Sequence, residues 1–115
     1  MQDYGLTAYL GDTEVTEEQR RALLAASDAI DARWPDPDDA DERQAAFAAA
    51  VMLTLGDTTV EQVAHKAAAA QTALIEARAA QVGAALLLAD TYSSEQALAD
   101  SLGVTRMTVR AWLGK

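Results

Sequence analysis

The 115-residue sequence contains no cysteine and a single histidine, His65. The lack of cysteine excludes a disulfide framework, a thiol nucleophile and a cysteine-ligated zinc or iron–sulfur site. One histidine is too few for a histidine-cluster metal site or a histidine-based catalytic relay. The sequence also lacks a glycine-rich phosphate loop and a convergent pair of acids on one helix face. We therefore expect no enzymatic activity, no cofactor and no bound metal.

Large apolar side chains and long apolar runs are also scarce. Six residues are aromatic, whereas 27 are alanine, the best helix former and a poor space filler. The N-terminal sequence MQDYGLTAYLGDTE has neither the basic nor the apolar region of a secretory signal. The longest apolar run, Ala45 to Leu53, is too short to span a membrane. These features predict an all-α cytoplasmic protein with a thin core and no membrane contact.

Charge is distributed unevenly along the chain. The net charge is −9, and residues 1–57 carry 13 acids and 4 bases, whereas residues 58–115 carry 5 of each. The last segment, Gly103 to Lys115, contains Arg106, Arg110 and Lys115 and no acid. An acidic protein attracts nucleic acid weakly overall, because attraction to phosphate dominates non-specific binding. A local basic element can still bind, and the acidic remainder would orient it.

Apolar spacing and cap signals predict five helices. Residues 1–15 are expected to form an arm, either packed or disordered. The first predicted helix begins at the capping box of Thr16 and Gln19 and ends at Arg33, before the prolines of WPDPDD. A second helix follows and ends at Gly56. These two form a predicted helical hairpin. A long central helix of about thirty residues starts at Thr58 or Thr59, with Gly83 marking a break or a close helix contact. Two short helices complete the chain.

The long helix carries two apolar stripes at alternating steps of three and four residues. The first stripe contains mostly small residues: Val60, Val63, Ala67, Ala70, Leu74, Ala77, Gln81, Ala84 and Leu88. The second contains Ile75, Ala79, Val82 and Leu86. Two stripes favour two packing neighbours, one within the chain and one in a second copy. In the alternative interpretation, the long helix is the central helix of a monomeric bundle. We expect residues 1–72 to form an acidic dimerisation body and residues 73–115 a second domain that shares the long helix.

The C-terminal sequence SSEQALADSLGVTRMTVRAWLGK predicts two short helices joined by a tight turn. Ser93 or Ser94 can cap the first helix and Thr105 the second. Gly103 suits the left-handed conformation that a sharp turn requires. Apolar residues of the two helices are expected to face each other: Leu98, Ala99, Leu102, Val104, Val109, Trp112 and Leu113. Each position agrees with a helix-turn-helix unit.

This segment, Glu95 to Leu113, resembles the helix-turn-helix of bacterial and phage repressors, plasmid regulators and resolvase-like modules. The sequence ALADSLGVTRMTVRAWL is similar to the pattern xLAxxLGVSxxTVxxWL of these modules. The resemblance covers about a fifth of the chain and implies that Ala73 to Ala89 supplies the first helix of a three-helix unit. Only Gly114 and Lys115 follow Leu113, so we expect no wing.

The resemblance implies recognition of double-stranded DNA in the major groove by the second short helix. Arg106 and Arg110 are the expected base-reading residues, although either could bind phosphate instead. The expected DNA-binding residues are Ser94, Thr105, Arg106, Met107, Thr108, Arg110 and Lys115. One such unit makes few phosphate contacts, so a homodimer on two half-sites is expected.

The sequence leaves related functions open. A dimeric transcriptional repressor or regulator of plasmid, phage or bacterial origin, associated with the nucleoid, fits best. A plasmid centromere-binding or partition adaptor would use the same chemistry. An acidic protein-interaction module is the alternative from a different class, in which residues 1–57 bind a basic partner or imitate DNA and the helix-turn-helix is vestigial.

Overall fold

The computed structural model describes all 115 residues, and the prediction of an all-α fold is confirmed, since the chain contains no strand. None of its helices combines the length and apolar content that crossing a membrane requires. Residue contacts divide the chain into two compact units, Met1–His65 and Lys66–Lys115. A short 3-10 helix, Pro37–Asp39, precedes α3. The six α-helices are α1 (Asp3–Leu10), α2 (Glu17–Arg33), α3 (Ala40–Leu55), α4 (Val60–Leu88), α5 (Glu95–Leu102) and α6 (Arg106–Trp112).

The first unit is built on the predicted hairpin of α2 and α3. The predicted capping box starts α2: Gln19 N–H donates to Thr16 Oγ1 at 3.1 Å, and Thr16 N–H donates to Gln19 Oε1 at 2.8 Å. α3 ends at Gly56, whose φ of 78° belongs to the left-handed region. The core of this unit contains Leu6, Leu10, Leu23, Phe47 and Val51. These few side chains join all three helices of the unit.

The N-terminal segment forms a helix that the sequence analysis missed. Leu6 of α1 is fully buried and Leu10 is nearly so, both within the core of the first unit. Arg20 of α2 donates from Nη1 to Asp3 Oδ1 at 2.8 Å and to Thr7 Oγ1 at 3.0 Å. An eight-residue helix is unstable alone in water, so α1 depends on these tertiary contacts. Residues 1–15 are therefore packed and not a free arm, and the chain has six α-helices instead of five.

α4 is an unbroken helix of 29 residues, about 44 Å long at 1.5 Å per residue. Thr59 and Gln62 cap its start reciprocally, at 3.1 and 3.0 Å. Neither alternative predicted for Gly83 is found, since the helix continues through that residue to Leu88 and no neighbouring atom lies within 4 Å of where its Cβ would stand. Every residue from Thr59 to Ala80 is exposed. Of the first stripe, only Gln81, Ala84 and Leu88, at its C-terminal end, are half-buried.

The end of α4 packs with α5 and α6 in the second unit. Ala85, Leu98, Ala99 and Val109 are almost completely buried there. The prediction that the apolar residues of the two short helices face each other is confirmed by this cluster. Around it pack six half-buried side chains: Leu88, Tyr92, Leu102, Val104, Trp112 and Leu113.

Candidate nucleic-acid interface

The turn between α5 and α6 is fixed by caps on both of its sides. Gly103 has φ 74° and ψ 31°, the left-handed conformation predicted for it. The N–H of Val104 donates to the Ala99 carbonyl at 3.0 Å, which closes the end of α5. Thr105 then caps α6, because its Oγ1 accepts from the Thr108 N–H at 3.2 Å. These bonds set where α6 starts.

A side-chain bond from α4 holds the same turn. Gln81 Nε2 donates to the Leu102 carbonyl at 2.9 Å, at the end of α5. Gln81 is the one polar residue of the first stripe, where the spacing favours an apolar side chain. Its amide instead satisfies a terminal carbonyl that α5 cannot pair within itself. The three helices of the second unit are therefore joined by a polar contact as well as by their apolar core.

α6 has one buried side and one exposed side. Val109, on the inner side of α6, is fully buried, whereas Arg106 is exposed and Met107 has 81% of its surface accessible. Arg106 has no carboxylate within ion-pair distance, because the ion pairs of the chain involve other residues. The exposed side of α6 thus carries a cation and an apolar thioether, and the packing of its buried side holds the helix in place.

Arg110 differs from Arg106 because it is paired with an acid of α5. Its Nη1 lies 3.0 Å from Glu95 Oε1 and 3.3 Å from Glu95 Oε2. Lys115 Nζ lies 3.8 Å from the same Glu95 Oε1. Glu95 therefore offsets part of the charge of two bases that lie in a segment of the sequence without acids. No sequence signal reveals this pairing, since Glu95 precedes Arg110 by fifteen residues and lies on another helix.

The serine and threonine residues among the predicted DNA-binding residues make hydrogen bonds at the starts of the two short helices. Ser94 Oγ accepts from the Ala97 N–H at 3.1 Å and starts α5. The hydroxyls of Thr105 and Thr108 lie 2.9 Å apart and share one hydrogen bond. Ser94 and Thr105 remain exposed, and Thr108 is half-buried. All seven predicted site residues lie within the second unit, where Thr105, Arg106 and Met107 are consecutive and exposed at the start of α6.

Comparison of the chain with protein-family models, curated proteins and solved structures finds no match. The case for a function therefore depends on the residues and contacts of the chain itself.

Proposed function

We propose that the protein binds double-stranded DNA sequence-specifically, with α6 in the major groove. The observation that carries the proposal is the two-sided character of α6, with Arg106 and Met107 exposed above a buried Val109. An α-helix fits the major groove, where an arginine can donate to guanine O6 and N7. An apolar side chain such as Met107 can contact the methyl group of thymine.

The arginines of α6 have different proposed roles. Arg106 is the principal base-reading residue, since no acid competes for its guanidinium. Arg110 shares its charge with Glu95 at 3.0 Å and contacts the DNA backbone together with Lys115. Ser94 donates to a phosphate from the start of α5, and one of the Thr105 and Thr108 hydroxyls does so from the start of α6, since the bond between them uses the proton of the other.

A homodimer is part of the proposal because one copy of this unit offers few phosphate contacts. The second stripe of α4, residues Ile75, Ala79, Val82 and Leu86, contains exposed apolar side chains, with Ile75 at 61% and Leu86 at 59%. Leu88 of the first stripe packs against the core of the second unit, so the second stripe is the one we assign to a second copy. Its steps of four and three residues suit pairing of two helices.

The biological role that fits this chemistry best is a transcriptional repressor or regulator of plasmid, phage or bacterial origin. The resemblance of Glu95 to Leu113 to such modules supports this role. A partition adaptor would bind DNA through the same residues, and DNA binding alone does not separate the two.

The test is a gel-shift titration of DNA from around the protein's own gene, at two salt concentrations. We expect Arg106→Ala to weaken binding about 5- to 150-fold, because a bidentate arginine–guanine contact contributes about 1–3 kcal/mol. Arg21→Ala is the matched control, since Arg21 is exposed on α2 and carries the same charge. Equal binding by wild type and Arg106→Ala would contradict the proposal.

A second candidate function follows from the charge of the first unit. Residues 1–65 contain 14 acids and 4 bases, and an acidic surface of this size suits a basic protein partner. A pull-down separates the candidates. If the intact protein retains a basic protein after Arg106→Ala but binds no DNA in the titration, the interaction module is favoured.

A further inference from the structure

A groove of about 540 Å³ in the first unit lies outside the proposed DNA-binding region. Its apolar lining includes Tyr9, Ile30 and Phe47, and its polar lining includes Ser27 and Arg43. The rings of Tyr9 and Phe47 meet edge to face, with centroids 5.0 Å apart. This size and this mixture of apolar surface with a few polar groups are typical of small-molecule sites.

Arg43 is anchored within the unit by only one of its nitrogens. Its Nη1 donates to the Trp34 carbonyl at 2.7 Å and to the Asp36 carbonyl at 2.6 Å, which uses both hydrogens of that atom. Nε and Nη2 make no hydrogen bond within the protein, so three N–H donors remain available. The side of a guanidinium that Nε and Nη2 form matches both oxygens of a carboxylate.

The charge of Arg43 is also unmatched. No carboxylate lies within ion-pair distance of its guanidinium, although the first unit is rich in acids. Arg43 is half-buried, so its charge is screened less than that of an exposed arginine. An anion in the groove would supply the missing partner.

Ser27 adds a buried hydroxyl group to the lining of the groove. It is the one polar residue buried in the structure, with 5% of its surface accessible, and it lines the groove. No hydrogen bond of its hydroxyl to another side chain fixes its orientation. Asp31, the acid among the lining residues, is exposed, so solvent and salt screen its repulsion of an anion.

We propose that this groove binds a small monocarboxylate with an apolar body, whose carboxylate pairs with Nε and Nη2 of Arg43 while its body packs on Tyr9, Ile30 and Phe47. The hydroxyl of Ser27 completes the polar contacts. This site does not depend on DNA binding, and the two proposals can fail separately.

The test titrates the full chain with phenylacetate, hexanoate and indole-3-acetate, followed by NMR shifts of Tyr9, Ser27 and Phe47. Phenylacetamide is the neutral counterpart, and acetate lacks the apolar body. We expect saturable binding of at least one acid below about 10 mM, and binding of phenylacetamide and acetate at least about tenfold weaker than that of phenylacetate. This comparison uses the wild-type protein and is independent of any effect of mutation on folding.

Arg43→Met should weaken binding of the acids at least about tenfold, whereas Arg21→Met, a matched change at an exposed arginine, should leave it unchanged. Saturation by none of the three acids, or equal binding of phenylacetate and phenylacetamide, would overturn the proposal. An equal loss of acid binding in the two arginine variants would also overturn the proposal, since the loss would then come from the change in net charge.

Discussion

Among single residues, Glu95 reduces the positive charge that α6 presents. Its carboxylate lies 3.0 Å from Arg110 and 3.8 Å from Lys115, so it offsets part of the charge of two of the three bases that follow Gly103. Partly exposed ion pairs such as these contribute little to stability. Their main consequence is to restrain Arg110 and to leave Arg106 as the free cation of α6.

The first prediction at this scale concerns Glu95→Gln. Removing the carboxylate releases Arg110 and Lys115 to bind phosphate, so we expect tighter binding to DNA of unrelated sequence. The salt dependence should steepen by about 0.9 for each additional phosphate contact. Fluorescence anisotropy at several salt concentrations measures both quantities.

Asp100→Asn is the control, because Asp100 is an exposed acid of α5 that bonds to Gln96 and pairs with no base. The control removes the same charge without releasing an arginine. If Asp100→Asn raises affinity as much as Glu95→Gln, net charge alone explains the effect and the specific role of Glu95 is wrong.

The sequence revealed the bases of this region but not how they are paired. Thr105, Arg106 and Met107 could be placed at the start of α6 because Gly103 and a capping threonine mark where a helix begins. Glu95 reaches Arg110 only because α5 and α6 pack in one particular rotation about their axes. That rotation depends on how Leu98, Ala99 and Val109 fill the core, and no local spacing in the sequence encodes it.

Among the helices, long periodic segments were predictable and the short N-terminal one was not. α2 and α3 have clear caps and stops, whereas α1 contains Gly5 and has only eight residues. A helix of this length forms when its neighbours bury it, here through Leu6 and Leu10. Its existence is therefore a property of the packed unit and not of the local sequence.

Two glycine substitutions should have opposite effects on stability. At Gly103, φ is 74°, and an added Cβ would contact nothing within 4 Å, so Gly103→Ala should destabilise through backbone strain alone, by about 1–2 kcal/mol. Gly83 lies inside α4 with the same open space around it, so Gly83→Ala should stabilise by about 0.5–1 kcal/mol. Urea unfolding monitored by circular dichroism measures both. Stabilisation by Gly103→Ala would contradict the left-handed turn, and destabilisation by Gly83→Ala would contradict the open space around Gly83.

The proposed dimer contact on α4 predicts different effects of glutamate at three positions of this helix. Ile75→Glu places a charge on the second stripe and should convert a dimer into a monomer in sedimentation equilibrium. Leu87→Glu is the control, since Leu87 is 80% exposed and lies about 120° around the helix from Ile75. Leu74→Glu tests the first stripe. Dissociation by Leu74→Glu but not by Ile75→Glu would move the contact to that stripe, and a monomeric wild type would refute the dimer.

In the whole molecule, the two hydrophobic cores share no residue. One core centres on Leu6, Leu23 and Phe47, and the other on Leu98 and Val109. A protein with two separate cores need not unfold in a single cooperative step. Damage to one core should therefore be detectable within its own unit first.

Leu6→Ala tests this independence. Truncating a fully buried leucine should destabilise the first unit by about 2–5 kcal/mol. Hydrogen exchange should accelerate at the amides of α2 and α3 and remain unchanged in α5 and α6. Tyr4→Ala, at an exposed position of α1, should have little effect on either unit. Acceleration throughout the chain after Leu6→Ala would show one cooperative structure instead.

The exposed part of α4 depends on its high alanine content for its helical structure. Nine of the 21 residues from Val60 to Ala80 are alanine, in a stretch where no side chain is buried. Where packing stabilises a helix, propensity matters little, but in this exposed stretch it is the main local contribution to the stability of the helix. Replacement of these alanines by glycine should destabilise α4 although none of them is buried, so tolerance to mutation along this protein does not follow burial.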